Sequence, residues 1–402
     1  MIRRTLSIIL AAGLAAGLVT GCGSETTGSS GEKAASVETA GTAESSPASA
    51  ETAETTAAAD SSASGVTAGV VWYNFADTFI SNARQTLNNL SANDKTIAVT
   101  DADSQNDTTI QDNNMNNIFT QHPDYFILNN INNAGTSQIV ESCKNEGITT
   151  IFVNCSSPSD EDFKNYEDLW YVSSASEQSG TNMGNQIVEY FKSHDNWDRN
   201  GNGKVDFILL QGMPTFIDTI NRSSFSLATI EEAGFELGTN IGGDDVQGVK
   251  GGDSLNGVIC DFQRAKAQEN VEALIASYGD DIDCILADND DEALGAIAAL
   301  QAHGYFTDES KYIPVVGVDA TAAGCEAIKN GTMLGTSLNN PVKLGKSIYK
   351  LMYLLNAGEE VTTESIAIDG VNVTDHKIII DYIPITSENL EEAEYDINDT
   401  SF

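Results

Sequence analysis

Positive charge is what this chain has least of. Twenty Lys and Arg stand against 59 Asp and Glu, for a formal charge of −39. That imbalance argues against nucleic acid and anionic membrane surfaces as partners, since both repel an acidic body. Histidine is scarce as well: His122, His194, His303 and His376 are scattered without paired spacing. The signatures G-x-S-x-G, H-E-x-x-H and G-x-x-x-x-G-K-[ST] are missing, and Gly243 to Lys250 lacks phosphate-loop spacing. No nucleophile and base can be paired, so an enzyme is not expected. Beyond Cys22 the cysteines are Cys143, Cys155, Cys260, Cys284 and Cys325. Their odd number and spacing exclude a disulfide framework and a zinc site. Cys284 in I-D-C-I-L-A, and Cys143 and Cys325 in helical patterns, read as buried thiols packed like small hydrophobes. No apolar run reaches the roughly 20 residues that span a bilayer.

The chain begins with Arg3 and Arg4, an apolar run from Leu6 to Val19, and V-T-G-C at Val19 to Cys22. This reads as a secretion signal over 1–21 with a lipobox-like end. It resembles bacterial lipoproteins, which implies that Cys22 carries lipid and becomes the mature first residue. The expectation is an extracytoplasmic protein held at the bacterial cell membrane by its lipid alone, with a plain secreted protein as the alternative. Residues 24–65 are almost entirely Ser, Thr, Ala, Gly and Glu. Such a segment buries too little apolar surface to repay ordering, so 22–66 reads as a flexible tether. From Thr67 to Phe402 about 336 residues remain, more than one core usually holds, and two lobes are expected.

Past the tether, short apolar runs alternate with helical patterns. Strands are predicted at 69–73, 96–100, 125–129, 149–154, 206–211, 282–287, 313–319, 333–338 and 377–382. Between them Phe79, Ala83, Leu87 and Leu90 recur at helical spacing, as do Ile187, Tyr190 and Phe191, and Ile348, Leu351, Met352 and Leu355. Alternation of this kind predicts an α/β fold with doubly wound parallel sheets covered on both faces.

The most specific stretch is W-D-R-N-G-N-G-K-V-D-F, Trp197 to Phe207. Asp198, Asn200 and Asn202 place oxygens at alternate positions, Gly203 permits the sharp turn, Lys204 offers its carbonyl, and Asp206 stands ninth. That spacing suits a structural Ca²⁺. Position twelve is Leu209 in the apolar run, so the closing carboxylate must come from elsewhere. An Asx turn without metal is the plainer alternative.

Several strands end on a polar side chain: Asp77, Asn129, Asn154, Asn289, Asp319 and Asn339. In open α/β sheets, ligands bind beyond the carboxyl ends of strands. Each residue alone could equally cap a helix. With Asp218 and Arg222, the set both accepts and donates hydrogen bonds, as the hydroxyls of a neutral sugar require. Asp218 and Arg222 also have the spacing of an ordinary helical ion pair. Phe79 is placed either to stack on a pyranose face or to pack in the core. Two of Asp77, Asp218 and Asp319 acting as glycosidase carboxylates remain a catalytic alternative, and an anchored sugar sensor serving a signalling receptor is another.

Five motifs together resemble the type I periplasmic sugar-binding proteins: D-S-Q-N-D at 103–107, the calcium loop, A-D-N-D-D at 287–291, I-P-V-V-G-V-D-A at 313–320 and G-T-S-L-N at 335–339. Within that family the resemblance is to the galactose/glucose binders of ABC uptake. It implies two α/β lobes joined by three crossings near Cys155, Asn339 and Ile380. The first lobe would then hold 67–154 and 340–379, and the second 155–339 and 380–402. It also implies a monosaccharide contacted by Asp77, Phe79, Asn129, Asp218, Arg222, Asn289, Asp319 and Asn339, and Asp283 as the distant calcium ligand. An ABC permease is the implied partner, and a monomer is expected. Two positions depart from the family pattern: Phe216 stands where a histidine is usual, and Cys260 where a stacking tryptophan is usual. Phe262 is the candidate replacement ring.

Overall fold

The computed structural model describes residues 65–402 except Gln247. The expected signal, the expected lipidation site Cys22 and all but the last two residues of the expected tether lie outside the described residues. Strands follow in chain order as β1 (Val66–Trp72), β2 (Ile97–Asp103), β3 (Tyr125–Leu128), β4 (Thr149–Val153) and β5 (Leu169–Ser174). Next come β6 (Val205–Gln211), β7 (Leu237–Asn240), β8 (Val258–Ile259), β9 (Cys284–Ala287), β10 (Val315–Val316) and β11 (Thr336–Leu338). The last are β12 (Val371–Thr374), β13 (Lys377–Ile380) and β14 (Ile383–Ile385).

The first sheet runs β12-β13-β5-β4-β3-β1-β2 and is parallel except at the β12–β13 hairpin. Helices Thr78–Asp94 and Pro341–Ala357 pack on one face of it, and Thr108–Phe119 and Thr136–Glu146 on the other. The second sheet runs β10-β9-β6, with β7 and β8 both pairing with β6. Ser176–Ser193 and Ile217–Glu232 cover one of its faces, Arg264–Tyr278 and Asp290–Ala302 the other. Both sheets are thus doubly wound, as the alternating pattern predicts. Helix Thr78–Asp94 shows how the sequence does it. Asp77 caps its start, Lys95 ends it in the left-handed region, and Phe79, Ile80, Ala83, Leu87 and Leu90 form its buried stripe. Burying each large apolar side chain there contributes about 1.5–3 kcal/mol.

The lobe boundaries differ from expectation in two places. Strand β5 pairs with β4 and β13, so residues 155–174 belong to the first lobe and the first crossing follows Ser174, not Cys155. All six residues of β5 are buried, which leaves a short run without alternation and hence a weak strand signal. The second crossing falls at Asn339 and the third between β13 and β14, where β11 and β14 pair antiparallel. The C-terminal segment then returns to the first lobe instead of staying on the second. Asn82 donates to the Tyr395 hydroxyl and Asn89 to the Ile397 carbonyl, Lys346 pairs with Asp399, and Phe402 packs edge-on to Tyr349 and Tyr353.

Candidate ligand-binding site

The carboxyl ends of strands from both lobes face one another across a narrow hollow with about 20 Å³ of free space. Tyr73, Asp77, Phe79 and Asn154 line it from the first lobe, and Phe216, Asp218, Arg222, Phe262, Asn289 and Asp319 from the second, with Asn339 at the crossing. Seven of the eight residues expected from the sequence therefore meet in one place.

Asn129 is the exception. It is fully buried, and its amide donates to the Val153 carbonyl and the Cys155 thiol, so it braces the wall from behind. Asn154, the end of the next strand, lines the hollow in its stead, held at φ 60°. Its place at a strand end was a readable signal. Tyr73, the residue just beyond β1, carried none that separates it from a core tyrosine.

Capping and lining turn out to be compatible. Asp77 accepts the Ile80 N–H at 2.8 Å with Oδ1 and the Tyr73 hydroxyl at 2.5 Å with Oδ2. Asn289 caps Glu292 through Oδ1 at 2.9 Å, which leaves its amide nitrogen to the hollow. Asp319 sits at φ 108°, a strained conformation for a residue with a Cβ, and accepts from Asn339 at 3.4 Å. Ser174 at the first crossing donates to Asn339 Oδ1 at 2.7 Å, so two of the crossings are tied together at the hollow.

Arg222 is the hollow's cation. One nitrogen donates to the Asp288 carbonyl at 2.8 Å, another to the Tyr382 hydroxyl at 3.0 Å, and Asp218 lies 3.8 Å away. The predicted i,i+4 pair exists, but it is buried inside the site and not on a solvated helix face. Burial pushes the carboxyls of Asp77, Asp218 and Asp319 upward, and Arg222 pulls each of them back. Asp218 Oδ1 and Arg222 Nε are buried without a protein partner. One is an acceptor and the other a donor, and a buried hydrogen bond left unmade is expensive.

Aromatic rings supply the apolar walls. Phe216 packs among first-lobe core residues, edge-on to Tyr73 at 5.6 Å, and Phe262 lies 6.1 Å from Phe216. Cys260 is buried behind β8 and does not line the hollow, whereas Phe262 does.

The predicted calcium loop lies at the other end of β6. Asp198 accepts the backbone N–H groups of Gly201, Asn202 and Gly203, and Gly203 adopts φ 80°, which only glycine takes readily. Asn200 and Asn202 both direct their amides at Asp206 Oδ2, at 2.8 and 2.6 Å. Asp283 closes the loop from outside by accepting the N–H groups of Arg199 and Asp206, each at 2.8 Å. Burial, then backbone hydrogen bonds working against it, then Asp206 and Asp198, leave its carboxyl up at about 7. Among the described residues no acidic or sulfur cluster forms a metal site by itself. The residue types suit a hard cation once a half-turn of each Asn amide puts its oxygen where its nitrogen stands, beside Asp206.

Comparison with known proteins accords with this geometry. Residues 68–360 match the periplasmic binding protein domain family. A D-galactose/methyl-galactoside binding periplasmic protein of Haemophilus influenzae is 27% identical over 338 residues, 82% of this chain and 92% of that one. An ABC transporter solute binding protein from Bacillus halodurans, solved with bound myo-inositol, matches at TM-score 0.63 and 26% identity over 82% of this chain and 98% of its own. A Mycobacterium smegmatis protein solved in complex with β-D-fucofuranose shares the fold at TM-score 0.65 and 19% identity, over 82% and 94% of the two chains. With its two doubly wound lobes, its shared cleft and a family match across both, this chain belongs to the periplasmic binding protein family.

Proposed function

We propose that this chain is a lipid-anchored extracytoplasmic receptor that closes its lobes on one neutral, monosaccharide-sized polyol of the galactose or glucose type and passes it to an ABC importer. The observation that carries this reading is the open pair Asp218 Oδ1 and Arg222 Nε, buried between carboxylates and rings from both lobes. A hydroxyl satisfies both, donating to the first and accepting from the second. Four aromatic rings, those of Tyr73, Phe79, Phe216 and Phe262, provide the apolar contact that a sugar ring's C–H face seeks. The D-galactose or methyl-galactoside and the myo-inositol named for two of the relatives, 27% and 26% identical, are neutral polyols of this size. Phe216 and Phe262 set this cleft's own preference among such ligands.

Family membership makes the chain a binding protein and not an enzyme, which sets the glycosidase alternative aside. Contacts from both lobes favour the closed state, so the ligand shifts a hinge equilibrium. Cys22 supplies the lipid anchor in this reading. Ca²⁺ at Asp198, Asn200, Asn202, the Lys204 carbonyl, Asp206 and Asp283 pins the second lobe and takes no part in ligand contact.

Calorimetry of unfolded and refolded protein, freed of carried ligand, tests the proposal. Galactose, glucose and myo-inositol serve as probes, with a charged sugar acid as contrast. Binding of at least one neutral polyol at micromolar Kd, roughly −8 kcal/mol, is expected. Silence across all of them would overturn the proposal.

A further inference from the structure

Glu292 stands directly behind the hollow without lining it. It lies in the first turn of helix Asp290–Ala302 and is fully buried. Its Oε1 accepts the backbone N–H of Phe262 at 2.9 Å, and its Oε2 has no protein partner. Phe262 and the preceding Asp261 are consecutive non-glycine residues at φ 59° and 52°. Such a turn is strained and persists only where its surroundings hold it. The Phe262 ring lies over Gly212, where a Cβ would stand 2.0 Å from the ring, so only glycine admits it there. Asp288 in turn fixes the Gly212 N–H at 3.2 Å. Two neighbouring buried acids therefore secure both sides of one contact: Glu292 the backbone that carries the ring, Asp288 the floor beneath it.

We propose that Glu292 is a positioning residue of the ligand site, whose carboxyl holds the 261–262 turn so that the Phe262 ring forms a wall of the cleft. The effect on affinity rests on the sugar reading above; the placement of the ring does not. Burial, and then Asp288, push the Glu292 carboxyl well above the usual range, and its Oε1 accepts the Phe262 N–H. Gln has the same shape, keeps an acceptor oxygen and carries no charge. Met has similar length but only a weakly accepting sulfur.

Crystal structures of E292Q and E292M without added ligand read the ring's position, and calorimetry with the polyol that the wild type binds reads its consequence. E292Q should keep Phe262 at positive φ with its affinity unchanged. E292M should release the turn, displace the ring and weaken binding about two- to tenfold. In an F262A background the same E292M substitution should add little, because the wall is already gone. Phe262 staying in place in E292M, equal weakening by Gln and Met, or full additivity with F262A would each overturn the proposal. A wild type that binds no polyol would refute the sugar reading, while the two crystal structures would still decide whether Glu292 places the ring.

Discussion

Arg222→Met is the most informative single perturbation of the cleft. Arg222 is 4% exposed, donates to a carbonyl and a hydroxyl, and lowers the carboxyls of Asp77, Asp218, Asp288 and Asp319. Removing one partner of a buried ion pair costs about 3–5 kcal/mol, because the remaining charges stay uncompensated. Those carboxylates have an escape, which is to take up protons. Each already sits above its ordinary value, and without Arg222 each rises further. Their contribution to stability is fully present below the unfolded-state pKa and is lost as pH climbs through the raised folded-state one. R222M should therefore lose about 3–5 kcal/mol at pH 8 and clearly less at pH 5. R222K, which keeps the charge but not the planar fork, should fall between. Urea denaturation of the unliganded protein at both pH values measures this. A loss that is the same at pH 5 and pH 8, or no loss at all, would refute the electrostatic reasoning. The same substitution removes a charge-assisted donor to the ligand, about 1.5–3 kcal/mol, and should weaken polyol binding by ten- to hundredfold.

Other expectations are simpler to check. Chelation of Ca²⁺ should lower the melting temperature of the wild type, with stabilisation near 2.7 kcal/mol at a hundredfold excess over Kd, and leave D283A unchanged; equal sensitivity in both would count against the loop as the site. Asp290, buried and pushed up to about 7 chiefly by desolvation, favours its protonated form in the fold. It should cost up to about 4 kcal/mol as pH rises from 4 to 7, so D290N should have a flatter melting profile over that range than wild type. Cys22→Ser should release the protein from the membrane fraction, and continued retention would contradict lipid anchoring.

The fold was legible because its signals are local and repeated. Apolar runs alternating with stripes such as Phe79, Ala83, Leu87 and Leu90 permit little besides doubly wound sheets, and each strand end that carries Asp or Asn marks the edge where ligands bind. What stayed hidden depends on pairing. Nothing within L-W-Y-V-S-S says whether β5 joins the first sheet or the second, and that choice moved the first crossing by some twenty residues. Asn129 and Asn154 end neighbouring strands with the same side chain, and only the packing of Cys155 against the Asn129 amide decides which one faces inward. Phe262 was legible as a candidate replacement ring, but the positive-φ backbone that places it after a glycine-rich stretch is something no periodicity reports. The return of 395–402 to the first lobe likewise rests on scattered partners such as Asn82, Asn89 and Lys346, far away in sequence.

In the proposed binding mode, side chains from two lobes close on one small polyol. A crystal structure of the protein with the ligand that co-purifies with it, identified by mass spectrometry, tests this most directly. A single neutral sugar or cyclitol is expected between Asp77 on one side and Asp218, Arg222 and Asp319 on the other, with a hydroxyl bonded to Asp218 Oδ1 and Arg222 Nε. A ligand seated instead in the surface groove between helices Thr108–Phe119 and Thr136–Glu146, with the cleft residues untouched, would contradict it.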